Sequence, residues 1–145
     1  MDTNYQNNPI LLIEDNPIDL DLTLRAFASR NLANPILVAR DGEEALDFTK
    51  RWEQGEPLPV VILLDLNLPK INGLEVLKFL KSHPIFKTIP VVVLTTSSES
   101  SDVKTAYELG VNSYIIKPVD FEKFIDMAKH IELYWNVLNK RFEPI

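Results

Sequence analysis

Three short, unbroken apolar runs constrain this chain more than anything else in it: Ile10-Leu11-Leu12-Ile13, Val60-Val61-Ile62-Leu63-Leu64 and Val91-Val92-Val93-Leu94. A strand with one wet face alternates apolar and polar residues. A run apolar at every position has both faces covered, which is the condition of a parallel strand between two helical layers. Two weaker segments, Ile36-Leu37-Val38-Ala39 and Tyr114-Ile115-Ile116, are expected to add strands beside them.

The stretches between these runs carry helix signals. Asn16-Pro17 pairs an N-cap residue with proline at the first helical position, and Leu20, Leu24 and Phe27 then recur at helical spacing. Asp41-Gly42-Glu43-Glu44 opens a second helix with Ala45, Leu46 and Phe48. A third starts near Asn72-Gly73, places Leu74, Leu77 and Leu80 on one face, and stops at Ser82-His83-Pro84. Ser100 or Ser101 is expected to cap a fourth, with Val103, Ala106 and Tyr107 inward and Gly110 closing it. The fifth is expected over residues 120–139, with Phe121, Phe124, Ile125, Ala128, Ile131 and Trp135 as its apolar stripe. Strand and helix thus alternate five times. Right-handed crossovers then give an α/β fold: a doubly wound, five-stranded parallel sheet with helices on both faces.

The length of 145 residues suits one domain. Residues 1–8 are expected to be loose, 9–139 to form the domain with a long final helix, and 140–145 to trail as a tail. Fifteen basic residues against 21 acidic ones leave a formal net charge of −6, without the basic footprint that nucleic-acid binding requires. The chain has no cysteine, which excludes disulfides, thiolate metal sites and thiol nucleophiles and fits a reducing cytoplasm. The polar start, Met1 to Asn8, does not read as a signal peptide, and no apolar run approaches the roughly 20 residues of a membrane span.

In an open parallel sheet, ligands bind outside the carboxyl ends of the strands, where the strand order reverses. That rule singles out Glu14-Asp15 after the first strand, Asp65 after the third, Thr95-Thr96 at the end of the fourth and Lys117-Pro118 after the fifth. Each alone has a plainer reading as a turn carboxylate, a capping residue or a surface charge. Together they put three carboxylates, a hydroxyl and an ammonium on one rim. Clustered carboxylates raise one another's pKa unless a cation neutralises them. An oxygen-only donor set without histidine or cysteine suits a hard divalent ion, and a shell that keeps waters suits Mg²⁺. Asp19, one turn after Asp15, faces the same rim, either tuning the acidic pocket or as an ordinary solvated charge. His83 and His130 have no partners at metal spacing and read as structural or surface residues.

These motifs, Glu14-Asp15, Leu64-Asp65-Leu66-Asn67-Leu68-Pro69 with Asn72-Gly73 behind it, Thr95, and Tyr114-Ile115-Ile116-Lys117-Pro118, resemble the receiver domain of two-component response regulators over residues 9–132. The resemblance implies the flavodoxin-like order of strands. It implies that Asp65 accepts a phosphoryl group from the phosphohistidine of a sensor kinase. It implies that Asp15, Asp65 and the main-chain carbonyl of Asn67 hold Mg²⁺, with Glu14 acting through a bound water, and that Lys117 pairs with Asp65 and later with the phosphoryl oxygens. A cis Lys117-Pro118 bond is implied as well. The electrostatics agree: Asp65 must be ionised to attack an anionic phosphoryl group, and a dication and an ammonium let the two approach.

By the same resemblance Thr95 and Tyr114 form a switch, the threonine drawn toward the new phosphoryl group and the tyrosine turning into the space it leaves. Asn67 and Ser97 occupy positions that influence phosphoryl lifetime. The chain ends shortly after residue 139, which suggests a stand-alone receiver whose output is protein contact. The segment Ile131-Glu132-Leu133-Tyr134-Trp135, with the motifs around Asp65 and Thr95, is most similar to the small response regulators of bacterial, and especially cyanobacterial, phytochromes. That likeness implies a phytochrome kinase as partner. It also implies a homodimer through helix four, strand five, helix five and the C-terminal extension, involving Tyr114, Tyr134 and Trp135.

Other classes fit less well. Aspartyl-phosphate phosphatases use Asp-x-Asp-x-Thr, whereas here Asn67 and Pro69 follow Asp65, so the general acid is missing. A flavodoxin-like electron carrier needs phosphate donors where this chain has Glu14-Asp15-Asn16-Pro17. A receiver-like binding module that takes no phosphate is the remaining alternative, and the complete set of site residues argues against it.

Overall fold

The computed structural model describes residues 8–30 and 34–140. The loose N-terminus and the tail expected from the sequence therefore fall almost entirely outside the described residues. Five parallel strands, β1 (Ile10–Ile13), β2 (Ile36–Ala39), β3 (Val61–Leu64), β4 (Val91–Thr95) and β5 (Ser113–Ile116), form one sheet in the order β2-β1-β3-β4-β5. The helices α1 (Pro17–Ala28), α2 (Gly42–Glu53), α3 (Gly73–Ser82), α4 (Ser100–Glu108) and α5 (Phe121–Ile131) connect them. This is the doubly wound arrangement with its switch point between β1 and β3.

The unbroken apolar strands serve two cores at once, because successive residues point to opposite faces of a sheet. Leu11, Ile13, Ile62, Leu64, Val91 and Val93 meet Phe48 and Trp52 of α2, Val76, Leu77 and Leu80 of α3, and Ala106 of α4. Ile10, Leu12, Val61, Leu63, Val92 and Leu94 meet Leu20, Ala26 and Phe27 of α1 and Phe124, Met127, Ala128 and Ile131 of α5. At about 1.5–3 kcal/mol for each large side chain withdrawn from water, these two layers fix the register against slippage.

Helix starts follow the expected chemistry at most positions. Asn16 Oδ1 accepts from the Ile18 and Asp19 amides, and Asp41, Asn72 and Asp120 side chains cap α2, α3 and α5. Gly110 has φ of 102° just past α4, a conformation that favours glycine. His83 is structural: its Nδ1 accepts from the amides of Ile85 and Phe86, and its ring stacks on Phe86.

Four local expectations are corrected. The N-cap of α4 is Glu99, without a side-chain bond, and neither Ser100 nor Ser101 caps it. Ser97 instead binds the first turn, with its Oγ 2.6 Å from Asp102 Oδ2. Ala106 takes the inward direction of α4, so Tyr107, about 100° further round, is 52% exposed rather than inward.

The fifth helix does not run unbroken to residue 139. Its α-helical part ends at Ile131 and a π-helical segment, Glu132–Leu138, follows. There the Asn139 amide bonds the carbonyl of Tyr134, five residues back. Phe121 at the start of α5 is half-exposed rather than part of the stripe, whereas Trp135 packs against the α1–α5 core.

Candidate functional site

Register delivers the site residues to one place. Ile13 of β1 pairs with both Ala39 of β2 and Leu64 of β3, so the first residues past β1 and β3 emerge level with each other. The Asp65 amide donates to the Ile13 carbonyl at 3.0 Å, which extends the ladder one step and sets Asp65 beside Glu14. Thr95 pairs with Ile116, and the Lys117 amide donates to the Thr95 carbonyl at 2.8 Å. Four strands thus carry Glu14, Asp65, Thr95 and Lys117 to the carboxyl rim around the switch point.

The Lys117 ammonium reaches across the end of β4 and sits among three carboxylates. Its Nζ lies 2.6 Å from Glu14 Oε1, 2.8 Å from Asp65 Oδ2 and 2.8 Å from Asp19 Oδ2. Glu14, Asp65 and Lys117 are buried, while Asp15 is exposed. The Lys117-Pro118 bond is trans, contrary to the expected cis form, since no cis peptide occurs among the described residues. The four-carbon lysine stem brings the ammonium to the pocket from a trans peptide.

Backbone donors complete the cradle. The Asn67 amide donates to Asp65 Oδ1 at 3.0 Å and the Asn16 amide to Glu14 Oε2 at 3.1 Å. The turn after Asp65 is held by the Gly73 amide, which donates to the Leu66 carbonyl. Gly73 must be glycine because a Cβ there would run into the Asp65 carbonyl oxygen and the Leu66 Cα. Lys70 in the same turn has φ of 67°, and its ammonium lies 3.3 Å from Asp41 Oδ2, tying the turn to α2.

The pocket pushes its two buried acids apart. Burial raises Glu14 to about 7, with further upward pressure from Asp65 that Lys117 only partly offsets. Burial also raises Asp65, but the Lys117 ammonium, the Asn67 amide and the Glu14 carboxyl outweigh it and hold Asp65 below its ordinary value. Burial disfavours the Lys117 ammonium, yet its bonds to Asp19, Asp65 and Glu14 prevail and raise it. The pocket thus favours the ionised form of Asp65 and of Lys117 and disfavours that of Glu14.

Oxygen atoms of Glu14, Asp15 and Asp65 all lie within 4.8 Å of one another, close enough to ligate one ion. Three carboxylate donors with an open, exposed side match a hard divalent cation that keeps several waters. The residues present therefore fit the metal expected from the sequence, and an ion there would relieve their mutual repulsion.

Next to this cluster, Thr95 is fully buried, and the Ser97 amide approaches its Oγ1 at 3.4 Å. The Tyr114 hydroxyl donates to the Ser97 carbonyl at 2.8 Å. The half-buried Tyr114 ring packs against the α2–α4 core. The structure brings Glu14, Asp15, Asp65 and Lys117 together, and Thr95, Ser97, Asp102 and Tyr114 form one connected group. Asp19, which spacing placed only on this rim, is a direct contact of Lys117. Tyr134 lies apart on the C-terminal segment, 51% exposed, with its ring edge-on to Trp135.

A doubly wound sheet with an acidic, lysine-bridged pocket at its switch point, suited to a divalent cation, is the arrangement of a receiver-type signalling domain. The chain belongs to the response regulator receiver domain family, whose sequence model matches residues 10–129. It is 45% identical over 136 residues to the "Probable methanogenesis regulatory protein FilR2" of Methanothrix harundinacea, covering 93% of this chain and 88% of that protein. It is 42% identical over 137 residues to the response regulator Rcp1 of Synechocystis, covering 90% and 92%. Among solved structures, the phosphorylated cyanobacterial phytochrome response regulator RcpA superposes with a TM-score of 0.87 at 37% identity, covering 94% of this chain and 99% of that one. The Mn²⁺-bound form of Rcp1 superposes with a TM-score of 0.84 at 38% identity, covering 94% and 99%.

Proposed function

We propose that this receiver accepts a phosphoryl group on Asp65 from the phosphohistidine of a sensor histidine kinase. The observation that carries this is the pairing of Asp65 Oδ2 with Lys117 Nζ at 2.8 Å, beside Glu14 and Asp15. An Asp65 oxygen attacks phosphorus, the phosphorus–nitrogen bond to imidazole breaks, and the imidazole leaves with the bonding pair. Lys117 steadies the charge on the phosphoryl oxygens, and the Asn67 amide holds the other Asp65 oxygen. Asp15, Asp65 and the Asn67 carbonyl, with Glu14 through a bound water, would hold Mg²⁺, which would supply positive charge for the transferring group. The chain itself provides most of what the transfer needs, and in this sense assists its own phosphorylation and dephosphorylation.

Thr95 and Tyr114 are the switch, supported by their link through Ser97 to α4. Asn67 and Ser97 tune phosphoryl lifetime by what they let approach Asp65. The kinase is assigned to the phytochrome class, on the strength of the likeness to RcpA and Rcp1, and the receiver shares its kinase's cytoplasmic compartment. Signal leaves through protein contacts, including a homodimer on α4, β5, α5 and the C-terminal segment. Exposed Ile116 and Tyr134 on that surface support it. The part assigned to Trp135 is smaller than its sequence suggests, because this ring already packs on its own domain.

The test is incubation with acetyl phosphate and Mg²⁺ followed by intact mass. A labile phosphoryl adduct is expected, and Asp65→Asn abolishes it. No adduct with any small donor would favour a constitutive binding module.

A further inference from the structure

The Lys117 ammonium has three N–H donors and three carboxylate partners, and those partners are not equivalent. Glu14 and Asp65 belong to the oxygen cluster that fits a divalent ion, whereas Asp19 does not. Glu14 and Asp65 are 1% and 5% exposed as side chains, but Asp19 is 25% exposed and stands at the mouth of the pocket. We infer that Asp19 is a positioning residue for phosphoryl transfer, the carboxylate that keeps Lys117 aimed at the rim once the other two partners turn to the metal and the phosphoryl group. This rests on Asp65 being the acceptor.

The local structure is built to hold Asp19 still. It sits in the first turn of α1, where Pro17 sets the helix start and Asn16 Oδ1 accepts from the Asp19 amide at 3.0 Å. The Thr23 hydroxyl donates to the Asp19 carbonyl at 2.8 Å. A carboxylate in the first helical turn is also favoured by the helix dipole. Phosphorylation converts Asp65 into an acyl phosphate, a mixed anhydride whose negative charge sits on the phosphoryl oxygens rather than on the carboxylate oxygen that Lys117 binds, and a metal at the acidic cluster would draw on Glu14. During transfer the four-carbon lysine stem must therefore pass from the carboxylates to the phosphoryl oxygens, and without a fixed partner through that shift it would have to be ordered again at a cost in conformational entropy. Asp19, anchored from its own helix, prevents that.

The opposite view treats Asp19 as one more negative charge repelling an anionic donor. The two views differ in sign. If Asp19 positions Lys117, Asp19→Asn slows phosphorylation by acetyl phosphate roughly tenfold, added salt does not restore the rate, and Asp19→Glu recovers part of it. If Asp19 only repels, Asp19→Asn is faster than wild type, and the difference shrinks as salt screens the charge.

A second readout is independent of transfer. In wild-type protein with Mg²⁺ bound, the Lys117 Nζ protons should exchange slowly with water by ¹⁵N NMR. In Asp19→Asn they should exchange fast, with Mg²⁺ affinity changed less than about twofold. A wild-type exchange rate in the variant, or an equal or faster phosphorylation rate, overturns the inference. If wild-type protein itself takes no phosphoryl group, it is the assignment of Asp65 as acceptor that fails.

Discussion

Lys117 Nζ stands 2.6 Å from Glu14 Oε1, with the two side chains 4% and 1% exposed, so an ammonium and a carboxyl group share a site almost sealed from water. Burial pushes Glu14 up to about 7, and the Lys117 ammonium helps to hold Asp65 below its ordinary value.

The first prediction concerns pH in metal-free protein. Burial raises Glu14 from an ordinary 4.5 to about 7, so between those values the folded state binds a proton the unfolded state has lost. Stability therefore falls as pH rises from about 4.5 to 7. The depressed Asp65 works the other way, its stabilisation being lost only as pH falls below its ordinary 3.8. Urea denaturation in EDTA at several pH values should show the downward slope, Glu14→Gln should remove it, and Mg²⁺ should flatten it. A pH-independent midpoint across this window would contradict the buried, proton-holding Glu14.

Removing the cation should harm both stability and chemistry. Lys117→Met leaves Glu14 and Asp65 buried without their counter-charge, a change that costs roughly 3 kcal/mol when one partner of a buried pair is lost. Chemical denaturation at pH 7 without metal measures it. Phosphorylation by acetyl phosphate should drop well below wild type even where the variant is folded. A variant as stable as wild type would mean that solvent screens the pocket.

The turn behind Asp65 offers a purely steric test. In Gly73→Ala the new methyl meets the backbone of Asp65 and Leu66, which cannot swing aside as a flexible side chain would. A loss of about 1–3 kcal/mol is expected, the range for overpacking, together with slower phosphorylation because Asp65 itself is displaced. Unchanged stability and rate would show that the turn has slack.

Dimerisation is tested by light scattering at micromolar concentration, with and without a small phosphodonor. A dimer is expected, and Tyr134→Ala should weaken it, because Tyr134 is exposed on the C-terminal segment while Trp135 is engaged internally. A strict monomer under both conditions would sink the proposed interface.

Much of this was legible from residue order. The apolar runs, Asn16-Pro17, Asp41 and Asn72-Gly73 carry their structural meaning locally, since capping and two-sided burial act over a few residues. What failed were inferences one turn too far. Tyr107 sits next to the inward Ala106, the α4 cap is Glu99 rather than Ser100 or Ser101 while Ser97 binds Asp102, and α5 widens into a π-helix after Ile131. Each depends on which neighbour wins a partner, and periodicity does not rank neighbours.

Residue order by itself determined the parallel sheet, its two helical layers and the delivery of Glu14, Asp65, Thr95 and Lys117 to one rim, because strand burial and helix caps are short-range properties of a chain. Only the tertiary structure decided how those charges are paired. Asp19 lies 98 residues from Lys117, yet its carboxylate completes the ammonium's shell at 2.8 Å. Whether a first-turn aspartate is a solvated charge or part of the pocket depends on where a distant strand ends, and packing sets that.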